Sequence, residues 1–281
     1  TTTQVASLTA ANAAGLTSTQ IAALSTTDLV MIKPLALAGM QTSALANITT
    51  TDIRSLTTAQ IASLTPAQLA GLQTAQIAAL LTSQVVALTA AQINALSTTN
   101  AAAMTTAQNA ALTGKQTSAW SSSNIAALTT TQIQGLSTTQ VAALTADQVK
   151  GLNTAQTAAI ETVDLKVMTV SALAGVSATN IAALTTAQIA SLTLAQAAGL
   201  TTTQMAALTT NQIGAITTAD LANLSKLQLN ALNSANWVKL STDQVAALTA
   251  TQIAGLDNAK IAILTSTQLP ALTSTQAAAL T

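Results

Sequence analysis

Apolar and polar positions recur along this chain with a period of eight that never slips. If each octad is counted from one to eight, with Leu8 closing the first, the eighth position is apolar in all 35 octads. It is mostly Leu, with replacements such as Ile32, Met40, Trp120, Met168 and Val176. The first position is Ser, Thr, Asn or Asp in 31 of 36 occurrences; Lys33, Gln41, Gln73, Leu81 and Glu161 are the exceptions. The fourth is Gln in 22 of 35 octads and Asn or Asp in nine more. The fifth is usually Ile, Val or Leu, and the seventh usually Ala, Gly or Ser. The stretch LTTAQIASLT at 56–65 shows the unit and returns at 184–193.

Ser or Thr followed three residues later by Gln is the spacing of a capping box. The hydroxyl accepts from the third helical N–H, and the Gln side chain reaches back to the cap's own N–H. An apolar residue just before the cap and another five residues on complete a hydrophobic staple. At 56–61, Leu56 and Ile61 are the staple, and Thr57 and Gln60 the box. Each octad therefore predicts a helix of about six residues, roughly 9 Å long, and a bend at Leu-Thr. Pro34 and Pro66 fall at the first helical position, where a missing N–H is harmless, whereas Pro270 lies late in its unit and is expected to end that helix early. Helices this short are unstable alone in water, so neighbouring units must hold them. The expected fold is all-α: a solenoid of very short capped helices, one per eight-residue repeat, running as a single continuous array of 35 repeats over 1–281. A β-solenoid is the alternative, since Thr and Ile also favour strands. The number of octads per coil stays open. The chain starts and stops within the pattern, which reads as a segment of a longer array.

Only 6% of residues are charged, and eight basic and eight acidic side chains cancel. Low charge with 49% apolar residues argues against disorder, and no basic stripe exists to engage nucleic acid. Thr or Gln interrupts every apolar run well short of a membrane span. Without His or Cys, zinc sites and the common nucleophile–base pairs cannot be built. The carboxylates are dispersed; Asp28, Asp52, Asp164 and Asp220 stand in for Gln in the box. These features predict no catalytic residues, no metal site and no cofactor, and so no enzyme.

Two lapses in the pattern echo each other, TTDLVMIKPLALAGMQTSALANI at 26–48 and TVDLKVMTVSALAGV at 162–176. They place Met31 and Val167 in the small seventh position and give a candidate lateral contact patch of Met31, Lys33, Met40, Lys166, Val167 and Met168. Trp120 and Trp237 replace an inward Leu and Ile and read as core. Asn109 and Thr117 occupy the Ile position, so 101–120 is expected to be less apolar and looser. Arg54, Lys150 and Lys166 follow the Ile position and are expected in solvent.

LTTAQIASLT resembles the Leu-Thr-x-x-Gln octad arrays of large secreted bacterial exoproteins of the adhesion- or haem-utilisation-related kind. That resemblance covers the whole chain and implies an exported, extracellular or cell-surface location; no His or Tyr is present to ligate haem iron. LTPAQLAGL at 64–72 also resembles the opening helix of transcription-activator-like effector repeats, but the eight-residue period and neutral charge set that kinship aside. The expected role is structural: a stalk, spacer or self-assembling filament subunit, with self-association end to end or laterally favoured by zero net charge. The alternative is a surface-binding solenoid whose Thr and Gln array meets a repetitive target such as ice or a polysaccharide at a cell surface.

Overall fold

A computed structural model describes residues 1–280. Among them are thirty-four α-helices of four to six residues, and no strand. The β alternative is therefore excluded. Each helix opens at the second position of its octad, as the capping pattern requires. Thr57 Oγ1 accepts from Gln60 N–H at 3.2 Å, and Gln60 Oε1 accepts from Thr57 N–H at 2.8 Å. Pro34 and Pro66 start their helices at the first position. Pro270 has the opposite effect: its octad holds only a 3₁₀ turn, Leu269–Ala271, because a ring this late leaves no room for a regular α turn.

The bend between octads uses two successive extended residues, such as Leu64 (φ −57°, ψ 139°) and Thr65 (φ −68°, ψ 155°). No described residue needs a positive φ, so an ordinary Leu-Thr pair suffices at every corner.

The helices gather into two compact units, one of Thr1–Ala143 and one beginning at Leu144. Within the first, Pro34–Gly39 rests on Ala10–Ala14, and Thr58–Ser63 rests on Pro34–Gly39. Within the second, Ala178–Ala183 rests on Thr154–Ala158, and Thr202–Ala207 rests on Ala178–Ala183. Each helix thus stacks on the third one before it, which makes each unit a solenoid with three octads to the coil.

The fifth and eighth positions point inward. Ile53, Ile61 and Ile77 are fully buried, and Leu56 and Leu64 are buried at the corners. Trp120 and Trp237 are core residues, as their positions predict, and the indole Nε1 of Trp237 is buried without a hydrogen-bond partner. Residues 101–120 keep full helices. Asn109 and Thr117 are completely buried in the Ile position. Thr117 turns its hydroxyl back to Thr113 O at 3.1 Å, while both polar atoms of the Asn109 amide lack a partner. Arg54, Lys150 and Lys166 are exposed, as expected of the position after Ile.

The small seventh position has a steric cause. It lies over the second position of the coil below. A Cβ on Gly39 would stand 2.5 Å from Ala10 O, and one on Gly175 2.5 Å from Ala146 O. Ser63 fits there by donating its hydroxyl to Pro34 O at 2.9 Å. Gly214 differs: it lies in the sixth position of its octad, within Thr210–Ala215, with nothing inside 4 Å of an added Cβ. Gly175→Ala is therefore expected to destabilise the protein by about 1–3 kcal/mol, because the coil spacing must give. Gly214→Ala is expected to stabilise it by about 0.5–1 kcal/mol through the unfolded chain and helix propensity. Parallel urea melts of the two variants read both signs.

Candidate functional site

A helix this short leaves most of its N–H and C=O groups without intrahelical partners. The fourth-position Gln answers this twice. Its Oε1 accepts from the cap N–H of its own octad, and its Nε2 donates to the coil below. Gln60 Nε2 lies 2.8 Å from Leu29 O, 3.3 Å from Val30 O and 2.8 Å from Ile32 O. Gln92 repeats this on Ile61 O at 3.0 Å and Leu64 O at 2.7 Å, and Gln212 on Ile181 O and Leu184 O, both at 2.7 Å. In each case the two nearest acceptors lie 31 and 28 residues earlier, at the helix end and corner one coil down. These amides are almost wholly buried, Gln60 at 1% exposure. Each unit therefore contains ladders of buried amides running from coil to coil.

Substitutions in this position follow from the geometry. Asn is one methylene shorter. Asn100 still donates to Leu72 O at 3.0 Å and Asn124 to Leu96 O at 2.9 Å, but neither octad forms a capping box. Lys260 donates its ammonium to Leu232 O and cannot accept. Asn230 compensates, accepting from the Asp257 cap N–H at 3.0 Å. Gln41 and Gln73, in the first position, donate to Ala14 O at 3.2 Å and Ala46 O at 3.0 Å. Gln41 thereby supplies an inter-coil bond in the stretch where Ala36 and Ala44 replace the ladder Gln. Burial, and then Glu161 beside it, hold the Asp164 carboxyl above the ordinary carboxylate range.

The residues singled out for a lateral patch separate by position. Met31, Lys33, Lys166 and Val167 are on the surface. Met40 and Met168 hold the eighth position and are buried core, at 4% and 3% exposure, so neither can take part in a surface contact. The first three residues of the patch belong to one unit and the last three to the other. Beside Met31 a shallow groove is lined by Thr26, Thr27, Val30 and Ser55.

One outer face of the first unit has a distinct chemistry. The stacked helices Thr2–Ala6, Thr26–Met31, Thr50–Ser55, Thr74–Ala79, Thr98–Ala103 and Ser122–Ala126 present their first two side chains side by side. Eleven of those twelve are Ser or Thr, against six of twelve on each of the other two faces through residue 139. All eleven are exposed apart from the half-buried Thr26. The array is invisible at a period of eight and emerges once octads are sorted by coil. Among the described residues, no three of His, Cys, Asp and Glu gather to hold a metal ion, and no helix is long and apolar enough to cross a membrane.

The ladder makes a sharp distinction between Gln and Glu, which a capping box alone does not. A carboxylate at Gln92 would face the carbonyl oxygens of Ile61 and Leu64 with nothing to donate. Gln92→Glu is expected to destabilise the protein by about 3–5 kcal/mol near neutral pH. Its folded-state pKa is then raised, so the deficit shrinks as pH falls through that pKa and protonation restores a donor. Gln92→Asn, which keeps the corner bond, is expected to cost only about 1 kcal/mol. Urea melts of both variants across pH check the order.

Comparison with known proteins matches the model of the ALTTAQ repeat to residues 45–82, 58–90, 119–154, 157–194, 213–250 and 226–258, together more than half of the chain. No curated protein matches it.

Proposed function

The chain belongs to the ALTTAQ repeat family, and on that premise we propose that it is a structural element rather than an enzyme. Its role is that of a stalk, spacer or self-assembling filament subunit on the outside of a cell. The observation that carries this reading is the repeated amide ladder. Coil after coil, the polar groups of the corner are consumed inside the stack. What remains for the surface is short helical faces without long loops, where binding and catalytic sites are commonly built. Absence of Cys suits an exported protein, and zero net charge favours self-association.

The hydroxyl face of the first unit supports a second reading, in which that face binds a repetitive target such as ice or a polysaccharide. Two hydroxyl side chains per coil recur there with one substitution, Ala75.

Electron microscopy of the purified chain over a range of concentrations, with cosedimentation on insoluble polysaccharide and on ice, tests both. The structural role expects elongated particles or filaments of constant width. Compact globules would overturn it. Retention on a solid phase, lost when Thr51 and Thr99 become Lys, would move the assignment to the second reading.

A further inference from the structure

We propose that the coil of residues 97–120 is a yield point: the interior coil of the first unit that opens first, under load or heat, while its neighbours stay closed. Its helices, Thr98–Ala103, Thr106–Ala111 and Gly114–Ala119, set Ala101, Asn109 and Thr117 in the fifth position, all fully buried. Nowhere else in the chain do three successive octads lack a large apolar side chain there. Elsewhere a small or polar residue in this position stands singly between larger ones, as Ala13 between Val5 and Ile21 and Ala197 between Ile189 and Met205. Closing this coil therefore withdraws less apolar surface from water and is driven less strongly. Asn109 adds a second penalty. Both polar atoms of its amide are buried without a partner, and water satisfies them once the coil opens.

Other features of the coil point the same way. Asn100 stands where its first octad would carry the ladder Gln, reaches Leu72 O at 3.0 Å and forms no capping box. Gly114 opens its third helix, and glycine loses the most freedom on folding. Trp120, buried at the corner, restores part of the missing volume. The coil below, 73–96, has the opposite composition. Ile77, Val85 and Ile93 fill its core, and Gln76, Gln84 and Gln92 each donate to two carbonyls. In coil 33–56 the ladder Gln is replaced by Ala36, Ala44 and Asp52, yet Leu37, Leu45 and Ile53 are buried there and Gln41 reaches Ala14 O. That coil loses bonds over an intact apolar core, whereas 97–120 loses the core itself. The consequence rests on the structural role proposed above: a stalk with such a coil lengthens locally under tension and keeps the rest folded. Released, the three octads span at most about 80 Å.

Backbone hydrogen exchange of the full chain, followed by mass spectrometry, tests this whether or not the chain forms filaments. Peptides from 97–120 are expected to exchange roughly tenfold to a hundredfold faster than peptides from 73–96. Asn109→Val and Asn109→Leu, which restore side chains of the kind the fifth position carries elsewhere, are each expected to slow exchange in 97–120 by about tenfold and to leave 73–96 unchanged. Equal protection of the two coils in the wild type, or exchange in 97–120 unaltered by both variants, would overturn the assignment.

Discussion

A single side-chain amide, set at the corner of most octads and shared between two coils, is the constraint on which this structure depends. Its oxygen closes the cap of one short helix and its nitrogen closes the end of another a coil below. Gln60 does both while almost completely buried. A free helix of this length does not persist in water. Here the groups that would fray it are satisfied by the neighbouring coil, so helix formation and coil stacking become one event. Nearest-neighbour dependence of this kind is what makes a repeat array fold as an array.

The amide sets the other tolerances. The coil spacing that lets Nε2 reach two carbonyls also brings the seventh position against the backbone below, hence Gly39 on Ala10 and Gly175 on Ala146. Where the amide is absent, other devices appear: Gln41 reaching Ala14, and Asn230 completing the octad of Lys260. The apolar interior then needs little specificity, and the fifth position accepts Ile, Val, Met, Trp237 and even the unpartnered amide of Asn109.

Much of this was legible in the sequence because its causes are local. Thr57 with Gln60 is a cap, Leu56 with Ile61 a staple, and Pro34 and Pro66 mark helix starts, all within a single octad. The coil was not legible, because its causes lie a full coil apart and Gln fills the fourth position of most octads on all three faces alike. For the same reason the hydroxyl face stayed hidden until octads were sorted by coil. The lateral patch drew on Met40 and Met168 through the oddity of a Met, when the position rule that buries Leu64 buries them too. The preference for Gln over Glu was in plain view in the composition of the fourth position. Its cause is a donor need in the coil below, which no local motif expresses.

Hydrogen exchange of the glutamine side-chain amides tests the ladder most directly, because the chain contains its own controls. Gln4 and Gln20 make the same cap contacts but are exposed, whereas Gln92 and Gln108 each donate to carbonyls a coil below. The Nε2 hydrogens of Gln92 and Gln108 should exchange only as fast as their coils open, and those of Gln4 and Gln20 at nearly the free rate. Equal and rapid exchange at all four would contradict the account.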